Sequence, residues 1–177
     1  LLGSHNRQNA LLAIRLARFF KIRLAIIKKA LADFKGIKRR LDFLTNPKSD
    51  FVVVDDYAHH PEEIKATLKT LRENYKDYNI AAVFQSHTYS RTKAFFKEFA
   101  KSFQKADQVI LLPIYSSARE KSRKGEDKKL NQKFFNLFKK QKPNTLYAGD
   151  FKKAQYFILE FKKTKSPLLV ATIGAGQ

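Results

Sequence analysis

Four short apolar runs decide most of what this chain can become. They are Phe51-Val52-Val53-Val54, Ile80-Ala81-Ala82-Val83-Phe84, Gln108-Val109-Ile110-Leu111-Leu112 and Leu168-Leu169-Val170-Ala171-Thr172-Ile173. A strand with one wet face alternates apolar and polar residues. These runs barely alternate, as expected of strands buried on both faces of a parallel sheet. The segments between them have helical character. Pro61 with Glu62 and Glu63 opens one, with proline suited to the first helical position and the acids set against the dipole. That helix is expected to run to about Tyr75, and others over Thr92–Lys105, Leu130–Lys140 and Phe151–Lys163. Thr145–Tyr147 reads as a short strand and Ser116–Lys129 as a polar loop. Upstream, Asn9–Arg18 and Leu24–Ala32 read as helices, with Gly36 as a C-terminal stop.

Strands alternating with helices imply a mostly parallel α/β sheet with helices on both faces. Ligands of such sheets gather beyond the carboxyl ends of the strands. Polar residues cluster at those positions: Asp55 to His60, Gln85 to Arg91, Tyr115 to Glu120, and Gly174 to Gly176.

Each cluster has a plain and a chemical reading. Asp55 and Asp56 follow a strand, so their side chains leave opposite faces; one can face the rim while the other braces the loop. Carboxylates there can accept hydrogen bonds from ribose hydroxyls, or cap the next helix. His59-His60-Pro61 fits helix capping and loop packing better than a metal site, because adjacent histidines seldom share one zinc. Gln85-Ser86-His87-Thr88-Tyr89-Ser90-Arg91 offers an imidazole, hydroxyls and a guanidinium that can grip a carboxylate or phosphate. No G-x-S-x-G turn surrounds Ser86 or Ser90, so anion binding is preferred to nucleophilic catalysis. Asn6 can cap the first helix, or Asn6 and Asn9 can read the edge of a base. Arg39-Arg40 is either a solvated pair or a phosphate contact.

Composition narrows the class. Formal net charge is +20 over 177 residues, which favours an anionic partner, but the lysines are spread over several helical faces. No helix-turn-helix, zinc-finger or RNA-binding signature is present, so nucleic acid is not the expected partner. There is no cysteine, hence no disulfide and no thiolate metal site. No apolar run approaches the roughly 20 residues that cross a bilayer. The chain contains no Met and no G-x-x-x-x-G-K-[ST] phosphate loop, and it reads as a fragment without its own means of activating a nucleotide.

Taken in order, the motifs resemble the Mur ligase family. Gly3 with His5-Asn6-x-x-Asn9-Ala10 is similar to the end of that family's central ATP-binding domain. Phe34-x-Gly36-Ile37-x-Arg39-Arg40 resembles the junction into the C-terminal domain. Asp55-Asp56-Tyr57-Ala58-His59-His60-Pro61 and Phe84-Gln85-Ser86-His87-Thr88-Tyr89-Ser90-Arg91-Thr92 resemble the signature of the L-alanine-adding member. Ile114-Tyr115-x-x-Ala118-Arg119-Glu120 and Gly174-Ala175-Gly176 complete the series.

The resemblance implies a Rossmann-like C-terminal amino-acid-binding domain over residues 34–177, preceded by a helical stub of the ATP-binding domain over 1–33. It implies a cytoplasmic enzyme that uses ATP and Mg2+ to join L-alanine to UDP-N-acetylmuramate, with the metal ligands in the central domain. By the same resemblance Asn6 and Asn9 lie near the adenine and Asp56 holds the ribose. Arg39 reaches toward the terminal phosphate. Tyr57, His59, His87 and Arg91 shape the pocket for the amino acid and the substrate carboxylate, with Arg91 as the clamp and Tyr57 restricting the pocket to a methyl. Arg39, His87 and Arg91 form the implied catalytic set. Three positions depart from the family pattern: Ser86 stands in place of Pro, Thr88 in place of Arg, and Gln177 in place of Asp. The alternatives are a peptide-adding ligase of wall recycling, a silent remnant, and a basic nucleic-acid-binding module.

Overall fold

The computed structural model describes residues 2–116 and 126–176; the middle of the expected polar loop, with Ala118-Arg119-Glu120, and Gln177 lie outside the described residues. The chain begins with helices α1 (Ser4–Phe19) and α2 (Leu24–Asp33). Strand β1 (Asp42–Phe43) leads into β2 (Phe51–Asp56), then α3 (Pro61–Asn74), β3 (Asn79–Phe84), α4 (Tyr89–Ala94), α5 (Phe96–Ser102) and β4 (Gln108–Leu111). Helix α6 (Glu126–Gln141), β5 (Leu146–Tyr147), α7 (Phe151–Thr164) and β6 (Leu168–Ile173) follow.

The strands form one six-stranded sheet in the order β1-β2-β6-β3-β4-β5. Among the described residues only β1 runs antiparallel; β2, β6, β3, β4 and β5 are parallel neighbours. The expected mostly parallel α/β fold is therefore what forms, and the last strand in chain order lies between β2 and β3.

The two faces of the sheet carry separate cores. Val52, Val54, Ile80, Phe84 and Leu169 pack with Ile64, Leu68 and Leu71 of α3, Phe99 of α5, and Phe134 and Phe138 of α6. Val83, Ile110, Leu168 and Val170 pack on the other side against Ala154, Phe157, Ile158 and Phe161 of α7. Phe84 sits 5.0 Å from Phe103 and 5.4 Å from Phe99, and all three rings are essentially buried. Each such side chain contributes about 1.5–3 kcal/mol by leaving water.

Several expectations need correction. The helix expected over Thr92–Lys105 starts earlier and is two helices, broken at Phe95, whose φ of −118° and ψ of 26° leave the helical region. Its ring turns instead onto His60, 4.8 Å away, and Phe99. Asn6 does not cap α1: Gly3 is the N-cap, and the Asn6 amide, already inside the first turn, donates to the Leu2 carbonyl at 2.7 Å. Gly36 is not the stop of α2, which ends at Asp33 with Phe34 extended; Gly36, at φ +98°, turns the linker further on. Helix α6 begins at Glu126, inside the expected loop. Strand β1 has no counterpart in the apolar pattern, being held by partners distant in sequence.

Candidate functional site

The parallel register brings the carboxyl ends of β2, β6 and β3 level: Asp56 pairs with Ile173, and Phe84 with Ile173 from the other side. Three loops leave this rim together. The chain after β6 is bound to the other two, because Gly174 N donates to the Asp56 carbonyl at 3.1 Å and Gln85 N to the Ile173 carbonyl at 3.2 Å. Gly174 needs its missing side chain. Its φ is +141°, and a Cβ would lie 2.4 Å from the Gln85 carbonyl oxygen. A fourth loop joins through the Tyr115 amide, which donates to the Ser86 carbonyl at 2.8 Å, and the Thr88 amide, which donates back to Tyr115 at 2.9 Å. His87 then stacks on Tyr115, with ring centroids 5.3 Å apart and planes 15° from parallel.

Strand alternation sends the two carboxylates of β2 to different cavities. Asp56, on the face of Val52 and Val54, lines a cavity of about 720 Å³ that also receives Asn6, Asn9, Ile37, Arg40, Glu62 and Glu63. Asp55, on the α7 face, lines one of about 420 Å³ with Arg39, Gln85, Leu112, Thr172 and Gly174. The adjacent arginines divide in the same way: Arg40 belongs to the first cavity and Arg39 to the second.

Asp56 is 4% exposed, and both its oxygens are engaged: Oδ1 accepts from Ala58 N at 2.8 Å and Oδ2 from Leu41 N at 2.9 Å. It braces the linker against the strand, while a carboxylate oxygen retains further lone pairs for a ligand. Asp55 Oδ2 accepts from Arg39 Nε at 3.0 Å, and its Oδ1 accepts from the Thr172 hydroxyl at 2.7 Å. Arg39 Nη2 donates to the Gly174 carbonyl at 2.8 Å, and its backbone carbonyl accepts from Tyr57 N at 2.7 Å. The guanidinium carbons of Arg39 and Arg40 lie 5.0 and 5.6 Å from the centre of the Tyr57 ring, so the tyrosine is held by both.

Pro61 starts α3 with His60 at the N-cap, whose Nδ1 accepts from Glu62 N at 3.4 Å. Glu63 Oε2 reaches back to accept from His59 N at 2.9 Å and His60 N at 3.2 Å. Burial pushes the Glu63 carboxyl up, but those two amides and the charges of His59 and Arg40 outweigh it and hold the group below its ordinary range. His59 packs edge-on against Tyr57 at 5.4 Å. Arg91 stands half-buried on α4, within one turn of Thr88. Ser86 is 2% exposed and its hydroxyl meets that of Thr92 at 2.7 Å, so it ties the loop to α4.

The structure thus gathers Asn6, Asn9 and Asp56, with Arg40, around one cavity and puts Arg39 in the other, while Tyr57, His59, His87 and Arg91 line neither of these two cavities. Sequence reasoning missed Glu62 and Glu63 as cavity residues, taking them only as dipole partners; the Glu62 carboxylate, held by Lys65 at 2.6 Å, can accept from a ligand hydroxyl. It also missed Tyr115 as the partner of His87. Among the described residues no group of three or more His, Asp or Glu side chains is placed to hold a metal, and no helix is long and apolar enough to cross a membrane.

A mostly parallel sheet with helices on both faces and polar loops gathered at its carboxyl rim defines an α/β domain of the kind that binds ligands at that rim. Residues 39–176 match the family described as Mur ligase, glutamate ligase domain. The chain belongs to the Mur ligase family. It is 51% identical over 133 residues to the UDP-N-acetylmuramate–L-alanine ligase of Levilactobacillus brevis, covering 75% of this chain and 30% of that protein. It is 52% identical over 122 residues to the enzyme of the same name from Lactiplantibacillus plantarum, covering 69% and 28%. The crystal structure of UDP-N-acetylmuramate-alanine ligase from Thermotoga maritima superposes with a TM-score of 0.74 at 26% identity, over 100% of this chain and 36% of that one. The chain therefore spans less than a third of the length of the two curated relatives.

Proposed function

We propose that this domain serves the ATP-dependent joining of L-alanine to UDP-N-acetylmuramate, a cytoplasmic step of peptidoglycan precursor synthesis. Residues 1–33 act as the end of the ATP-binding domain and 34–177 as the amino-acid-binding domain. The observation that carries this reading is the convergence of Asn6, Asn9, Arg40 and Asp56 on one cavity.

In this reading the two amides take the edge of the adenine, since each both donates and accepts. Asp56, with Glu62 as a second acceptor, takes the ribose hydroxyls. Arg40, which shares the cavity with Asn6, Asn9 and Asp56, places its positive charge toward the phosphates, while Arg39, committed to Asp55 and the Gly174 carbonyl in the other cavity, braces the rim; Arg91 grips the substrate carboxylate. Tyr57 and His59 narrow the space for the amino acid's side chain, and His87, fixed by Tyr115, orients its amino group. ATP supplies the driving force for amide formation; the residues of this chain contribute binding, orientation and charge. The magnesium ligands are assigned to the part of the ligase outside this chain.

The test uses the intact ligase that carries this domain, with phosphate release followed in the presence of UDP-N-acetylmuramate, ATP and Mg2+. Release that requires L-alanine, and falls sharply in Arg91→Ala, is expected. Release only with a tripeptide would move the reading to the peptide-adding ligase of wall recycling. No release with any acceptor would overturn it.

A further inference from the structure

Thr88 holds a backbone conformation that its side chain resists. Its φ of +71° and ψ of 136° lie outside the regions open to a β-branched residue and border one that belongs to glycine. It follows His87 directly and is the N-cap of α4, the helix that carries Arg91. Strain of this kind persists only where the surroundings over-determine the chain. Here the restraints come from α4 and from the Tyr115 loop. Thr88 N donates to the Tyr115 carbonyl at 2.9 Å, and the Thr88 carbonyl accepts from Thr92 N at 3.2 Å and from the Thr92 hydroxyl at 2.6 Å. Thr92 is 0% exposed. Its hydroxyl has one proton and gives it to Thr88, so the 2.7 Å contact with Ser86 is donated by the Ser86 hydroxyl. The Ser86 carbonyl in turn accepts from Tyr115 N at 2.8 Å. Ser86, Thr92, Thr88 and Tyr115 therefore form a closed ring of hydrogen bonds around the backbone of His87, and the Thr92 hydroxyl makes two of its links.

We propose that Thr92 is the positioning residue for His87 and Arg91, acting through the strained Thr88. Thr88 sets the direction in which the chain leaves His87 and enters the turn that bears Arg91. Without the Thr92 hydroxyl the Thr88 peptide loses a restraint and relaxes toward an ordinary conformation, and the two side chains no longer share one aim. Thr92 is fully buried, so it touches neither amino acid nor nucleotide in this scheme. The ring spends folding stability on a loop that is already arranged when the substrate arrives. The inference rests on the reading of His87 and Arg91 as the residues that meet the amino acid and the substrate carboxylate.

The test uses the intact ligase that carries this domain. Thr92→Val keeps the side-chain volume and removes the hydroxyl. It is expected to raise KM for L-alanine about 10- to 100-fold while leaving KM for ATP unchanged, and Thr92→Ser is expected to restore the wild-type value. Added to Arg91→Ala, Thr92→Val is expected to cost much less than it does alone, since both act on one element. Thr88→Gly relieves the strain and frees the loop, so it is expected to raise the unfolding midpoint and still raise KM for L-alanine. If Thr92→Val does not fold, Thr88→Gly decides the matter. Wild-type KM for L-alanine in Thr92→Val and Thr88→Gly, beside a damaged Arg91→Ala, would overturn the positioning role alone. So would a fall in kcat with both KM values unchanged, or multiplicative losses with Arg91→Ala. Neutral His87→Ala and Arg91→Ala variants would overturn the reading of those two residues and this inference with it.

Discussion

The Asp56 carboxylate takes the Leu41 amide at 2.9 Å, joining a strand end to a linker residue 15 positions earlier. Leu41 is itself in the left-handed region at φ +47°, and it is buried among the core residues of the α3 face. This bond and its twin to Ala58 N are internal, so they cannot be replaced by water. Asp56→Ala is expected to destabilise the protein by about 1–3 kcal/mol, because it leaves buried N–H groups unpaired. Urea unfolding checks it: a midpoint equal to wild type would mean that the brace has no structural weight.

Gly174→Ala tests the closeness of the rim. Its Cβ would enter the space of the Gln85 carbonyl at 2.4 Å, at a φ that alanine disfavours. A loss of about 1–3 kcal/mol in stability is expected. Gly149, where an added Cβ meets nothing within 4 Å, is the control, and Gly149→Ala should be much milder.

Glu63 links the site to acid sensitivity. Its folded carboxyl lies below the ordinary value of 4.5, held there against burial by the amides of His59 and His60 and by nearby positive charge. A depressed carboxylate contributes stability above its unfolded pKa and loses it as pH falls through the folded value. Glu63→Gln should therefore be less stable than wild type at neutral pH, with the gap closing in the acid range below about pH 4.5. Thermal melts across that range check it; a gap that stays constant would contradict the assignment.

The His87–Tyr115 stack has a spectroscopic signature. The tyrosine ring lies 5.3 Å from the imidazole and nearly parallel to it, so its ring current must move the His87 carbon-bound protons. Tyr115→Ala should shift those NMR signals toward free histidine, and Tyr115→Phe should preserve them. Equal spectra in all three would show that the two loops are not held together in solution.

Much of the fold was legible because burial writes itself into composition. Val52 and Val54 face one core and Phe51 and Val53 the other, so the run had to be uniformly apolar, and it was readable as a parallel strand. Strand β1 was not legible, because Asp42 and Phe43 are held on the sheet edge by register with Asp55 and Val54 rather than by local pattern. The break at Phe95 was hidden for a different reason. Phe95, Phe96, Phe99 and Phe103 keep an apolar helical stripe across it, while the interruption follows from the packing of Phe95 on His60, 35 positions away in the sequence.

At the site, residue types were easier to read than directions. Adjacency on a strand already implied that Asp55 and Asp56 leave opposite faces. Which of them meets Arg39 depends on the left-handed turn at Arg39 and on Thr172 more than 100 residues later, with the hydroxyl bond spanning 117 positions. No periodicity carries that information.

The sheet order has a consequence for synthesis. Strand β6 lies between β2 and β3 yet leaves the ribosome after the other described strands of this sheet. Until Leu168 emerges, the nascent chain holds two half-sheets with facing unsatisfied edges and an empty slot between them. A message cut short upstream of that codon yields a polypeptide with sticky strand edges rather than a smaller working domain, and cellular proteases would find it by that open seam.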